Sequence, residues 1–120
     1  MNIIIYHNPR CRKSREALNY IIEKKINYTL IKYLEEKFNS KTLSEVLIKL
    51  KIKPEELVRK NEKIWINKYK GKSFTDEKLI KILVGNEKLI ERPIITYKNE
   101  GVIGRPIKNL VDFLKKIDKT

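Results

Sequence analysis

The chain has 120 residues, and we expect residues 1–120 to form one domain with a moderate hydrophobic core. Its single cysteine excludes an internal disulfide framework, and no histidine and cysteine cluster has the spacing of a metal site, so neither a metal nor a bound cofactor is expected. The net charge of +13 comes mainly from scattered lysines mixed with acidic residues, a pattern typical of a solvated surface and not of a nucleic-acid site.

The hydrophobic pattern predicts a first strand over residues 2–6 and then an amphipathic helix with apolar residues within 17–22. A second strand is predicted over 28–33, parallel to the first and joined to it by a right-handed crossover. The apolar run 3–5 is too short for a signal-peptide core, and no segment of the chain has the length of a membrane span. We therefore expect a cytoplasmic protein that has no membrane association.

A helical insertion follows the second strand. Its predicted pieces are a helix that carries residues 43–50 and ends before Pro54, short helical pieces at 55–60 and 62–69, and a helix that is capped by Ser73 or Thr75 and continues through Val84. Two short strands, 93–97 and 101–103, and a closing helix opened by Pro106 complete the chain. This order predicts an α/β fold with a mixed sheet flanked by helices.

Cys11 lies at the predicted turn between the first strand and the first helix. Free N–H groups and the positive end of the helix dipole stabilise an anion at such a turn. Arg10, Arg12, Lys13, Arg15 and His7 are close in sequence, and positive charges favour the reactive thiolate. The alternative, a buried cysteine that acts as a small apolar residue, is less consistent with these charged neighbours.

The arginines are few compared with the lysines. Besides the three near Cys11 they are Arg59, Arg92 and Arg105, and the last two each directly precede a proline. Arginine binds carboxylate, phosphate or a similar oxyanion through two parallel hydrogen bonds, whereas lysine acts as a point charge. The pattern indicates an oxyanion site, although six ordinary surface arginines remain an alternative.

Five segments of the chain resemble the glutaredoxin-coupled arsenate reductases, which have a thioredoxin-like fold. They occur in the order and spacing of that family and extend over essentially the whole chain; the segments are 5–15, 57–61, 74–76, 90–94 and 105–106. The resemblance implies a thioredoxin-like mixed sheet with a helical insertion between the second and third strands.

The resemblance also implies roles for individual residues. Cys11 would be the nucleophile, and His7 would help to lower the pKa of its thiol. The oxyanion would be held by arginines, here Arg59, Arg92 and Arg105, with Arg15 as a further candidate. Pro93 is expected to follow a cis peptide bond beside the thiol, as proline does in most thioredoxin-like folds.

The electron count constrains the reaction that this resemblance implies. Reduction of arsenate to arsenite takes two electrons, and a protein with one cysteine must take its second sulfur from outside. We therefore expect arsenate as the small oxyanion substrate, glutathione as a co-substrate and glutaredoxin as the protein partner. Ser14 stands where a resolving cysteine could be, and its hydroxyl could donate a hydrogen bond to the thiolate.

Two alternatives remain open at this point. One is an arsenate reductase-like thiol oxidoreductase with another substrate, because Arg10, Arg12 and Lys13 are bulkier and more cationic than the small residues that surround the family's cysteine. The other is a non-catalytic regulator of the Spx type, although those regulators typically carry a Cys-x-x-Cys pair and this chain has Ser14. The phosphatase-like arsenate reductases are excluded because Ala17 occupies the position of their arginine.

Overall fold

The core of the protein is a sheet of four strands. In the computed structural model, which describes residues 1–118, the strands are β1 (Asn2–His7), β2 (Asn27–Lys32), β3 (Ile94–Tyr97) and β4 (Glu100–Ile103). Their order in the sheet is β2-β1-β3-β4; β1 is parallel to β2 and antiparallel to β3, and β3 is antiparallel to β4. The predicted mixed sheet flanked by helices is confirmed. The predicted domain 1–120 extends two residues beyond the described part of the chain.

Within residues 1–118, five α-helices accompany the sheet. They are α1 (Arg12–Glu23), α2 (Ser40–Leu50), α3 (Lys63–Lys68), α4 (Asp76–Gly85) and α5 (Ile107–Asp118), with short 3₁₀ helices at Pro54–Leu57 and Glu87–Leu89. Of the two predicted caps for α4, Thr75 is the one used, because its hydroxyl accepts the Lys78 N–H at 3.1 Å. No described helix is long and apolar enough to cross a membrane.

The sheet separates two apolar clusters because successive side chains of a strand point to opposite faces. Ile3 and Ile5 of β1 lie in the cluster with α1 and α5, whereas Tyr6 packs against the cluster formed with α2 and α4. On β3, Ile95 joins the first cluster and Ile94 the second. Both faces of the sheet are therefore covered, which fixes the strand ends in position.

The helical insertion is fastened to the start of β3 by a short backbone pairing. Val58 and Ile90 form an isolated antiparallel bridge; the Arg59 N–H donates to the Leu89 carbonyl at 2.7 Å, and the Glu91 N–H donates to the Leu57 carbonyl at 2.9 Å. The predicted helical piece at 55–60 is therefore wrong in its second half. The 3₁₀ helix ends at Leu57 because the following residues extend to pair with a segment that is distant in sequence.

Candidate active site

The Cys11 thiol lies at the N-terminus of α1. Cys11 is the N-cap residue of this helix, with extended backbone angles (φ −92, ψ 122), and its side chain is partly exposed. The Cys11 N–H donates to the Asn8 carbonyl at 3.0 Å, and the Cys11 carbonyl accepts the Arg15 N–H at 3.0 Å. A tight turn after β1 therefore holds the sulfur where the first N–H groups of the helix are free to stabilise an anion.

Several groups act together on the pKa of the Cys11 thiol. Burial raises the pKa, because it disfavours the charged thiolate, but the opposing interactions are stronger in sum. The Ser14 backbone N–H, the polar side chain of Arg92, the Lys13 backbone N–H and the positive charge of Arg92 lower the pKa, and the net shift is downwards from 9.0. The site therefore favours the thiolate, which is the nucleophilic form.

His7, Asn8 and Ser14 form a buried hydrogen-bonded group beneath the thiol. The Ser14 hydroxyl, which is fully buried, lies 2.7 Å from His7 Nδ1 and accepts the Asn8 N–H at 3.0 Å. Burial lowers the pKa of His7, as do the charges of Lys32 and Arg15, so the imidazole is neutral at neutral pH. His7 therefore acts on the site through its hydrogen bond with Ser14 and not through a positive charge.

Two of the predicted arginines reach the Cys11 sulfur. Arg105 Nη1 donates to Cys11 Sγ at 3.8 Å, and the Arg92 side chain is close enough to the thiol to lower its pKa. The Arg92 side chain is buried; its Nη1 donates to the Lys88 carbonyl at 3.0 Å and to the Ile90 carbonyl at 3.4 Å, while its Nε has no partner among residues 1–118. One edge of this guanidinium is thus fixed by the backbone, and Nε is left available for an acceptor.

The other two predicted arginines have partners of their own. Arg59 Nη1 lies 3.3 Å from Glu62 Oε1, and Arg59 Nε lies 3.5 Å from Glu91 Oε1, so two carboxylates offset its charge. Arg15 is exposed, and its Nη1 donates to the Pro9 carbonyl at 2.9 Å, which braces the loop that carries Cys11. Arg92 and Arg105 are therefore the arginines that this structure places on the sulfur.

The loop segments around the two Arg-Pro pairs complete the site. The Arg92–Pro93 and Arg105–Pro106 peptide bonds are both cis, and only the first was predicted from the sequence. The Gly104 N–H donates to the Pro93 carbonyl at 2.9 Å, and this bond ties the two pairs together. Among residues 1–118 no group of histidine, cysteine and acidic side chains is arranged to hold a metal ion.

Asn8 and Tyr33 also lie at the site, although neither is among the site residues predicted from the sequence. Asn8 organises the turn through three hydrogen bonds. Its carbonyl accepts the Cys11 N–H, its side-chain oxygen accepts the Arg10 N–H, and its own N–H donates to the Ser14 hydroxyl. Tyr33 follows the last residue of β2, and the parallel register of β1 and β2 brings it beside Asn8. Their position in the sequence could have indicated them, because each directly follows one of two parallel strands. The carboxyl ends of such strands meet at one edge of the sheet.

A partly exposed thiol at the first strand-to-helix turn of a mixed sheet, beside a proline that follows a cis peptide bond, defines a thioredoxin-like protein with a cysteine site. Residues 6–113 match the ArsC family, and the chain belongs to this family.

Similar proteins agree with this assignment over nearly the whole chain. The chain is 37% identical over 112 residues to the uncharacterized protein YfgD of Escherichia coli (strain K12), a match that covers 92% of this chain and 94% of that protein. It is 34% identical over 122 residues to an arsenate reductase of Escherichia coli, with 98% of this chain and 84% of that protein covered. The structure of an arsenate reductase from Vibrio cholerae superposes with a TM-score of 0.88 at 32% identity, covering 93% of this chain and 97% of that one.

Proposed function

We propose that this protein reduces arsenate to arsenite through the Cys11 thiolate, with glutathione and glutaredoxin as external reductants. The observation that carries the proposal is the pair of guanidinium groups, of Arg92 and Arg105, at a single thiol whose pKa is lowered. Such a pair neutralises an incoming oxyanion and holds it against the repulsion of the thiolate. The similarity to arsenate reductases supports arsenate as the substrate.

The first step is an attack of the thiolate on arsenic. The sulfur of Cys11 forms a bond to arsenic, one arsenic–oxygen bond breaks, and the departing hydroxide takes up a proton and leaves as water. No electrons are transferred to arsenic at this stage. The buried Nε of Arg92 is free to donate to an oxygen of the bound anion, while the Arg105 guanidinium stabilises the charge next to the sulfur.

The second step supplies the electrons. A glutathione thiol attacks the adduct, a disulfide forms between Cys11 and glutathione, and arsenic leaves as arsenite, so the two sulfurs lose the two electrons that arsenic gains. Glutaredoxin then reduces the mixed disulfide and restores the thiol. An external reductant is required because Ser14 occupies the position of a resolving cysteine and Cys11 is the chain's only sulfur nucleophile.

A coupled assay tests this proposal. Arsenate-dependent oxidation of NADPH is measured with glutathione, glutaredoxin and glutathione reductase, and with each component omitted in turn. We expect turnover only in the complete system, poor substitution by thioredoxin, and no activity in Cys11→Ser. Arg12→Lys, which changes an exposed arginine at the start of α1 next to Cys11, is the matched control and should keep most of the activity. Absence of turnover by a wild-type protein whose thiol still alkylates readily would contradict the proposal.

A second candidate is a related thiol oxidoreductase that acts on another substrate. The exposed side chains of Arg10, Arg12 and Lys13 favour it, because they add positive charge next to Cys11 in the chain and none of them forms an ion pair within residues 1–118. In this case arsenate would cause no oxidation of NADPH in the coupled assay, while glutaredoxin would still reduce the mixed disulfide between Cys11 and glutathione.

A further inference from the structure

The Tyr33 side chain is a buried polar group that the reaction above leaves unused. His7 of β1 pairs with Lys32 of β2. The residues that directly follow these two strands, Asn8 and Tyr33, therefore lie side by side at the carboxyl edge of the sheet. Tyr33 is 0% exposed, and its ring centroid lies 6.0 Å from that of Phe38. The ring is therefore held firmly, and its hydroxyl has a fixed position next to the Cys11 loop.

The hydroxyl of Tyr33 has no hydrogen-bond partner among residues 1–118. The Asn8 side chain approaches this hydroxyl without normal hydrogen-bond geometry. The charges of Arg92, Cys11 and Arg59 all influence the pKa of Tyr33. Burial raises the pKa of Tyr33 above its ordinary value of 10.0, so the phenol stays protonated and serves as a hydrogen-bond donor.

Two buried donors are thus left open at the same place. Arg92 Nε and the Tyr33 hydroxyl both lack a partner, and the buried polar groups of a folded protein are nearly always paired. These two open donors lie beside the Cys11 thiol, where a bound anion would supply the acceptors that the protein chain does not. A tetrahedral oxyanion offers several acceptor oxygens, enough for both donors at once while one face remains towards the thiolate.

We propose that the Tyr33 hydroxyl donates a hydrogen bond to the oxyanion that Arg92 holds at Cys11, and that it thereby selects tetrahedral oxyanions with an oxygen directed into the interior. This inference rests on the proposed oxyanion site and adds a binding residue to it. Tyr33 contributes one neutral donor on the side of the anion that faces β2, and it takes no part in the transfer of electrons.

Tyr33→Phe tests the inference, because it removes the hydroxyl and keeps the ring against Phe38. Sulfate is the probe, measured by how well it protects Cys11 from alkylation by iodoacetamide. We expect the concentration of sulfate that gives half protection to rise about tenfold and the arsenate kcat/KM to fall by about tenfold or more. Resistance to urea should be unchanged or greater, since an unpaired buried hydroxyl has been removed.

Thr96→Val is the matched control. Thr96 carries another buried hydroxyl without a partner among residues 1–118, but it pairs with Ile4 and so lies away from the end of β1 that leads to Cys11. This variant should leave sulfate protection unchanged. Equal sulfate protection in the wild-type protein and Tyr33→Phe would overturn the inference, and so would an equal loss in both variants.

The pH dependence of alkylation and the turnover with arsenate distinguish a role of Tyr33 in oxyanion binding from an effect on the thiolate and from failure of the proposed substrate. The pH midpoint of iodoacetamide alkylation should be the same in the wild-type protein and Tyr33→Phe; a rise in the variant, with sulfate protection unchanged, would assign the hydroxyl to the thiolate and refute its role in oxyanion binding. If the wild-type protein shows no turnover with arsenate, the proposed substrate fails. The sulfate measurements still decide the role of Tyr33 in that case, because they do not depend on turnover.

Discussion

At the scale of single residues, the thiol of Cys11 is the group whose chemistry is most changed by its surroundings. Its pKa is lowered from 9.0 because the N–H groups of Ser14 and Lys13 and the Arg92 side chain together outweigh burial. We therefore expect the rate of alkylation by iodoacetamide to reach half its maximum at a pH below 9.0. Arg92→Lys should shift this midpoint upwards, and a midpoint at or above the free-thiol value in the wild-type protein would contradict the prediction.

The site arginines should contribute unequally to oxyanion binding. Arg92 has an unpaired buried Nε, whereas Arg59 is paired with Glu62 and Glu91. We expect Arg92→Lys to weaken sulfate protection of Cys11 by about tenfold or more, since lysine keeps the charge and loses the second donor. Arg59→Lys should have a clearly smaller effect. The reverse order would mean that Arg59 leaves its carboxylates when the anion binds.

His7 should make the stability of the protein depend on pH. Its pKa is lowered from 6.5 in the folded state, so below that value the unfolded chain binds a proton that the folded chain does not. The free energy of unfolding should therefore fall as the pH drops from 6.5 towards the lower folded pKa, and it should be fully retained above 6.5. Urea unfolding of the wild-type protein and His7→Asn measures this: the difference in slope between them should vanish above neutral pH.

At the scale of secondary-structure elements, the turn after β4 fixes how closely Arg105 approaches β3. A Cβ added at Gly104 would lie 2.9 Å from Ile95 Cδ1 and 3.3 Å from Pro93 Cγ. We expect Gly104→Ala to destabilise the fold by about 1–3 kcal/mol through overpacking. It should also weaken sulfate protection of Cys11, because the segment that carries Arg105 must move away from Pro93.

Gly85→Ala is the control for this substitution. Gly85 is the last residue of α4, and a Cβ there would meet nothing within 4 Å. Alanine favours a helix over glycine by up to about 1 kcal/mol, so this variant should be as stable as the wild-type protein or slightly more stable. Its sulfate protection should be unchanged. If both variants behaved alike in urea and in sulfate protection, the close packing at Gly104 would not position Arg105.

At the scale of the whole molecule, the net charge of +13 should attract anionic reagents to the thiol. We expect the ratio of the alkylation rates with iodoacetate and iodoacetamide to exceed that of a free thiol. The ratio should fall when salt is raised from about 0.01 M to 1 M, because the screening length shrinks from about 30 Å to 3 Å. A ratio that does not respond to salt would show that only contacts at short range act on the thiol.

Charge reversal near the thiol and far from it distinguishes the effect of neighbouring cations on the ratio of alkylation rates from the effect of the net charge. Arg12→Glu/Lys13→Glu changes the exposed pair at the start of α1, and Lys24→Glu/Lys25→Glu changes an exposed pair just beyond its end. The ends of α1 are about 18 Å apart at the usual rise of about 1.5 Å per residue. At physiological salt the first variant should lower the ratio far more than the second, since the distance exceeds the screening length of about 8 Å.

The sequence was sufficient for those features that depend on neighbouring residues. The alternation of β1, the spacing of α1 and the cation-rich turn between them predict the position of Cys11, because strand and helix periodicity act within a few residues. Arg59, Arg92 and Arg105 were also predicted from the sequence as oxyanion-binding residues, since arginines are few among the lysines and the last two directly precede a proline. The helical insertion was predicted in outline, apart from the extended residues after Leu57.

Only the tertiary structure decided which side chains meet and which of their atoms stay free. Arg105 reaches Cys11 across 94 residues of sequence, and Arg59 is held by Glu91 through the pairing of Val58 with Ile90. The position of Tyr33 depends on the register of two parallel strands. Such contacts follow from how the sheet closes and how the insertion docks, and both depend on the packing of residues far apart in the chain, which no local pattern encodes.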